Sequence, residues 1–320
     1  MWFYLVILIC LYYALCWHWE KKVVQNLPEK YVFITGCDSG FGNLLAKQLD
    51  LQGLRVLASC LTEKGAEELK RKTSDRLETV ILDVTKTESI TSATQWVQER
   101  VGDKGLWGLV NNAGIGLPTF PNEWLKKKDF VKILDVNLIG LIEVTLNMLP
   151  MVRKAQGRVV NVSSVAGRLS VFGGGYCISK YGVEAFSDSL RREIAPFGVQ
   201  VAIIEPGNFR TLILSPDNLN DITKKLWSQV PLETREAYGE HYFKSYCKSM
   251  NYFLSRGKKN LYPVIWSMEH ALTAVHPRTH YVADWEAKFI HIPLSCLPTS
   301  LLDFILSKFL YRVKPAHAVC

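Results

Sequence analysis

From residue 30 onward, short β-branched apolar runs alternate with longer amphipathic stretches, and few architectures accept that pattern. The runs fall at 31–34, 54–57, 79–82, 106–110, 158–162 and 199–204, with helix-like stretches such as 43–51 and 90–101 between them. A strand that is apolar at nearly every position has no wet face, so it belongs in a sheet covered on both sides. Strands alternating with helices make that sheet parallel. The expectation is an α/β fold with a doubly wound parallel sheet of about seven strands and helices on both faces. No internal repeat or low-complexity linker divides it, so one domain is expected over 29–290. Residues 212–262 interrupt the alternation with a polar and aromatic helical stretch, which reads as a lid inserted over the strand ends.

Composition removes several classes of function. With 320 residues, 48% of them hydrophobic, the chain can bury a sizeable core, and disorder is excluded. The net charge of +8 is spread along the sequence, and its densest run, Lys126-Lys127-Lys128, is short enough to be a solvated face. Nucleic-acid binding would need a denser basic stripe, so no such partner is expected. Eight cysteines stand apart without a C-x-x-C pair, and His276 and His280 are separated by Pro277, so neither disulfides nor a metal are expected.

Residues 1–17 carry no charged side chain and end at His18-Trp19-Glu20-Lys21-Lys22. That length is near the lower limit for crossing a hydrocarbon core. The basic start and small-residue cleavage site of a signal peptide are poorly represented. Residues 1–19 therefore read as an uncleaved membrane anchor, with Tyr12, Tyr13, Trp17 and Trp19 suited to the interface. Residues 291–320 are apolar but broken by Pro293 and Pro298, and read as a core or membrane-surface helical segment.

The candidate chemistry gathers where strands end. The first strand runs into Thr35-Gly36-Cys37-Asp38-Ser39-Gly40-Phe41-Gly42 and then a helix, a turn in which glycines let backbone N–H groups approach a pyrophosphate. Later strands end at Asp83-Val84, Asn111-Asn112-Ala113-Gly114, Ser163-Ser164 and Pro206-Gly207, with Thr211 just beyond. Such ends are where ligands bind in Rossmann-type sheets. Tyr176 and Lys180 then fall on one helix face. A cation there, with a positive nicotinamide ring, is expected to pull the phenol below its reference value near 10 and make it a usable proton acceptor.

Taken together, these motifs resemble the short-chain dehydrogenase/reductase family over roughly residues 30–285. The resemblance implies Tyr176 as general acid/base and Lys180 as the residue that lowers its pKa and holds the ribose. It further implies Asn137 as the holder of a relay water beside Lys180. Ser164 would bind the substrate oxygen, with Ser163 its competitor; the small turn Val165-Ala166-Gly167 favours Ser164. Thr35, Gly36, Ser39, Gly40, Phe41, Gly42, Asp83, Val84, Asn111, Ala113, Gly114, Lys180, Pro206, Gly207 and Thr211 would hold the cofactor. The stretches 31–42, 105–114, 173–187 and 268–279 are similar to the membrane-bound retinol and hydroxysteroid dehydrogenase branch. That branch oxidises retinol and 3α- or 17β-hydroxysteroids at the endoplasmic reticulum.

The end of the second strand, Ser59-Cys60-Leu61-Thr62, offers neither the acid that binds a ribose 2′-hydroxyl nor an arginine for a 2′-phosphate. With no basic residue in the glycine loop, NAD is the expected cofactor, while Lys64 and Arg55 keep NADP open. The expected partners are a lipophilic alcohol or ketone and membrane lipid, with a homodimer left open. Aromatics of the insertion, Trp227, Tyr238, Tyr242, Phe243, Tyr246, Tyr252 and Phe253, together with Met250, read mainly as lid packing, with some left over to line an apolar pocket. The rival readings are an idle nucleotide-binding scaffold and a sugar-nucleotide epimerase. Four intact polar positions, Ser164, Tyr176, Lys180 and Asn137, argue against idleness.

Overall fold

The computed structural model describes residues 19–211 and 216–309, together with 4, 7, 11 and 316. The segment 1–19 expected to be an anchor, and the start of the expected lid at 212–215, therefore lie largely outside the described residues. So does the end of the chain.

Seven parallel strands form one sheet in the order β3-β2-β1-β4-β5-β6-β7. They are β1 (Tyr31–Ile34), β2 (Arg55–Cys60), β3 (Leu77–Ile81), β4 (Gly108–Asn111), β5 (Arg158–Val162), β6 (Gln200–Glu205) and β7 (His280–Val282). The last had no apolar run to announce it: of its three residues only Tyr281 is buried. Strand order reverses between β1 and β4, and a crevice opens there above the carboxyl ends.

Helices α1 (Gly40–Leu51), α2 (Glu63–Lys70) and α8 (Tyr262–Thr273) cover one face. Helices α3 (Thr87–Val101), α4 (Lys127–Lys154) and α5 (Gly175–Ile194) cover the other. Two apolar layers result. Leu45, Leu49, Met268 and Leu272 pack over Val32 and Ile34 on the first side, and Ile90, Val97, Val144, Met148 and Leu190 over Phe33 and Leu57 on the second. Helix α4 is long and apolar enough to cross a membrane. Ile133, Val144, Met148 and Val152 are nevertheless fully buried in the fold, which makes it a core helix.

Within α4, residues Asp135–Ile139 form a π turn, and Asn137 sits in it. Such a turn widens the helix locally and re-aims side chains, often beside a site. The insertion forms α6 (Pro216–Ser228) and α7 (Leu232–Ser255), with α7 kinked at Gly239. They build a third apolar cluster around Trp124, whose ring meets those of Trp227, Tyr238, Tyr242, Phe243 and Tyr246. A π turn at Ala287–His291, a short helix at Ile292–Ser295 and α9 (Thr299–Phe309) end the described chain.

Segment 19–24 is bound to the amino end of β7 and to α8. Val24 N–H donates to Thr273 O (2.8 Å) and Val275 N–H to Lys22 O (2.7 Å). Arg278 holds Glu20 with two nitrogens, and the His270 ring bridges Glu20 O (2.9 Å) and the Tyr281 hydroxyl (2.7 Å).

Candidate active site

A cavity of about 700 Å³ lies over the carboxyl ends of the strands. The glycine loop forms one end. Gly36 has φ +70°, and a Cβ there would stand 2.9 Å from Ala113 Cα, so only glycine lets the loop lie on the end of β4. Gly36, Ser39, Gly40, Phe41, Asp83, Val84, Ala113, Gly114, Pro206, Gly207 and Thr211 all line the cavity.

Three residues expected to touch cofactor stand elsewhere. Thr35 is buried and its hydroxyl oxygen accepts from Asn112 and Ala113 N–H (2.9 and 3.0 Å). Gly42 lets α1 close on the loop, where a Cβ would meet Asn112 Nδ2 at 2.5 Å. Asn111 faces the core and donates to Thr145 Oγ1 and Asn161 Oδ1, both at 2.8 Å. Its neighbour Asn112 lines the cavity and donates to Thr35 O and Gly36 O (2.9 and 3.1 Å), tying the glycine loop to β4. Strand alternation puts one of two adjacent asparagines in and one out, and sequence alone did not say which.

An acidic residue does stand at the end of β2, but it comes from the glycine loop. Asp38 accepts from Leu61 N–H (2.7 Å), Thr62 N–H (3.0 Å) and the Thr62 hydroxyl (2.7 Å). It lines the cavity with Thr62, Lys64 and Glu68. Residues 59–62 carry no acid of their own; the charge arrives from the loop after the neighbouring strand, β1.

Helix α5 places Tyr176 on the cavity wall and Lys180 beneath it, with Nζ 5.8 Å from the ring centroid. Lys180 is buried and its ammonium donates to Val162 O, the last carbonyl of β5 (2.8 Å). The Tyr176 phenol faces Ser164 across the cavity wall, and the Ser164 hydroxyl donates to Pro206 O (3.4 Å). Ser164 also accepts from Ala166 N–H (3.1 Å). Ser163 turns the other way, its hydroxyl directed to Lys180 O (3.4 Å) and toward Glu184. Asn137 accepts from Ile115 N–H (2.8 Å) and donates to Ile115 O (2.9 Å) and the Ser179 hydroxyl (3.1 Å). It pins the loop after β4 to α5.

The expected downward pull on Tyr176 is reversed in the chain itself. Burial raises the phenol above its ordinary value and outweighs the Ser164 hydrogen bond. Burial likewise brings the Lys180 ammonium down to about 8, against an opposing pull from Glu184. Both groups are held in their neutral forms more strongly than in water. The charge balance that favours phenolate therefore has to come from what binds beside them.

Beyond Tyr176 the cavity turns apolar, walled by Leu117, Leu169, Val171, Phe172, Met250, Phe253 and Leu254, with His291 at the C-terminal segment. Of the lid residues singled out in the sequence, Met250 and Phe253 reach this wall, and Tyr252 faces outward.

The short chain dehydrogenase family profile matches residues 30–221. Retinol dehydrogenase 16 of Mus musculus is 64% identical over all of this chain and all of its own length. The 17-beta-hydroxysteroid dehydrogenase type 6 of Rattus norvegicus is 60% identical with the same coverage. Among solved structures, a short-chain dehydrogenase from Streptomyces avermitilis is 25% identical. It superimposes with a TM-score of 0.67, covering 87% of this chain and 94% of that one. Likeness that runs the full length of such relatives, on top of the family match, makes this chain an oxidoreductase of the short-chain dehydrogenase family.

Proposed function

We propose that the chain oxidises a lipophilic alcohol with NAD, and reduces the ketone or aldehyde in reverse, through Tyr176. The single observation that carries this reading is the convergence of Tyr176, Ser164 and Lys180 on the cavity wall between its polar and apolar halves, with the Lys180 ammonium buried on Val162 O and 5.8 Å from the Tyr176 ring. The bound nicotinamide supplies the hydride acceptor. Everything else falls to side chains. Ser164 holds the alcohol oxygen, Tyr176 takes the hydroxyl proton, and Lys180 steadies the phenolate from its place on Val162 O. Asn137 spends its amide on holding Ile115 and Ser179, which fixes the floor on which Lys180 stands.

The residues fit a dinucleotide. Gly36 leaves no room for a side chain, so the loop's backbone can approach a pyrophosphate, and Asp83 and Val84 border the adenine side. Asp38 supports NAD over NADP, because a 2′-phosphate over the end of β2 would face its carboxylate. The apolar half of the cavity suits a large alcohol, and the relatives are named for retinol and hydroxysteroids.

The apolar residues 1–17 support anchoring in the endoplasmic reticulum membrane. Trp285, Phe289 and Phe304 expose about two-thirds of their surface, and the charge of Lys288 reaches Glu20. Lys288 stands three residues before His291, which lines the cavity wall.

Replacing Tyr176 with Phe tests the mechanism. The expected result is a fall in kcat of about a thousandfold for retinol or a 3α-hydroxysteroid. NADH binding, read by fluorescence, stays within about twofold. Surviving oxidation would mean that another group takes the proton.

A further inference from the structure

Behind Lys180 lies a cluster of titratable side chains that the mechanism leaves unused. Glu184 is one turn further along α5, its two carboxylate oxygens buried. Glu205 ends β6, is 1% exposed, and lies 3.4 Å from both Arg168 Nη1 and His280 Nδ1. His280 begins β7 and stands 3.9 Å from Glu184, with about a third of its side chain open to solvent. Ser163 and Glu184 meet over Gly167, where a Cβ would fall 2.8 Å from Ser163 Oγ, 2.9 Å from Lys180 O and 3.0 Å from Glu184 Cγ. Asp188, one turn beyond Glu184, is taken up by Arg191 and Arg192.

Two like charges in one buried site cannot both ionise cheaply, so a proton or a cation has to be shared among them. Arg168 already supplies one fixed positive charge to Glu205, which argues for a shared proton over a metal ion. Burial and the Glu205 carboxylate push Glu184 up to about 7, and the Glu205 hydrogen bond raises His280. Glu184 therefore changes charge near neutrality, and His280 keeps its proton to higher pH than a free imidazole. As pH rises, the cluster becomes more negative over the range where Lys180 begins to lose its proton.

Building on the Tyr176 reading above, we propose that Glu184, backed by Glu205, His280 and Arg168, is a positioning residue for the charge of Lys180. Its carboxylate keeps the ammonium protonated at alkaline pH, where alcohol oxidation is favoured by release of a proton. Glu184 touches neither substrate nor cofactor and acts only through its field on Lys180.

The test is the pH profile of kcat and kcat/KM for oxidation between pH 6 and 9.5, at saturating NAD, on the full chain. Glu184→Gln mimics the protonated acid. It is expected to match the wild type within about twofold at pH 6.5 and to fall about tenfold below it above pH 8, as the alkaline limb moves down by about one unit. Glu184→Asp restores part of that limb. His280→Gln, at a more accessible position, moves the limb the same way by a smaller amount and covers a failure of the first variant to fold.

A profile that superimposes on the wild type, or a loss of equal size at every pH, overturns the proposal. A wild-type profile that shifts on adding zinc or a chelator overturns it in favour of a metal site. Activity surviving in Tyr176→Phe would instead strike the parent reading, so the two failures are distinguishable.

Discussion

Asp38 spends its two carboxylate oxygens on the amides of Leu61 and Thr62 and on the Thr62 hydroxyl, so its position is fixed over the end of β2. Discrimination between cofactors differing by one phosphate is well served by a placed repulsion. Asp38→Ala is expected to raise kcat/KM for NADP about tenfold while lowering that for NAD, both read by steady-state kinetics. An unchanged ratio would shift the burden to Lys64 and Glu68. At this scale the sequence was partly legible. Tyr176, Lys180 and Ser164, which motif and spacing single out, all line the cavity. The upward push on Tyr176 in the chain without cofactor was not legible, because it comes from burial, which depends on packing.

The lid works as a unit through Trp124. Its ring lies within 4.7–6.2 Å of five aromatic neighbours from α6 and α7. Truncating a buried aromatic of this kind costs about 3–5 kcal/mol. That cost falls on the lid, since the cluster is separate from the two layers that clasp the sheet. Trp124→Ala is therefore expected to raise KM for a lipophilic alcohol about tenfold, with NADH affinity within about twofold. An equal loss of both would mean that the lid and the cofactor half fold together. Strand and helix alternation foretold the sheet because six of its strands carry continuous apolar runs. Strand β7 escaped notice: three residues with one buried side chain give no periodicity to read. The cluster of Glu184, Glu205 and His280 was equally invisible, since its members come from three elements far apart in sequence.

Across the whole molecule, the segment leaving residue 19 is bound to α8 and β7 by backbone hydrogen bonds, the Arg278–Glu20 pair and the His270 bridge. The ion pair is partly exposed and contributes below about 1 kcal/mol to stability. Its expected effect is on orientation. Arg278→Ala is expected to leave activity on detergent-dispersed substrate within about twofold and to lower it several-fold when the alcohol is supplied in vesicles. Equal activity in both settings would show that the segment sets no orientation.

A stalk fixed at several points behaves as a bracket and not as a tether. A domain on a loose tether samples every heading and meets its substrate as a solute in three dimensions. A bracketed domain keeps one heading, and a lipid-dissolved alcohol then arrives by lateral drift in a plane. With residues 1–17 in a membrane, as proposed, the quantity that governs turnover would become the mole fraction of the alcohol in the leaflet, and the hydrogen bonds at residues 20–24 would decide which law of encounter applies.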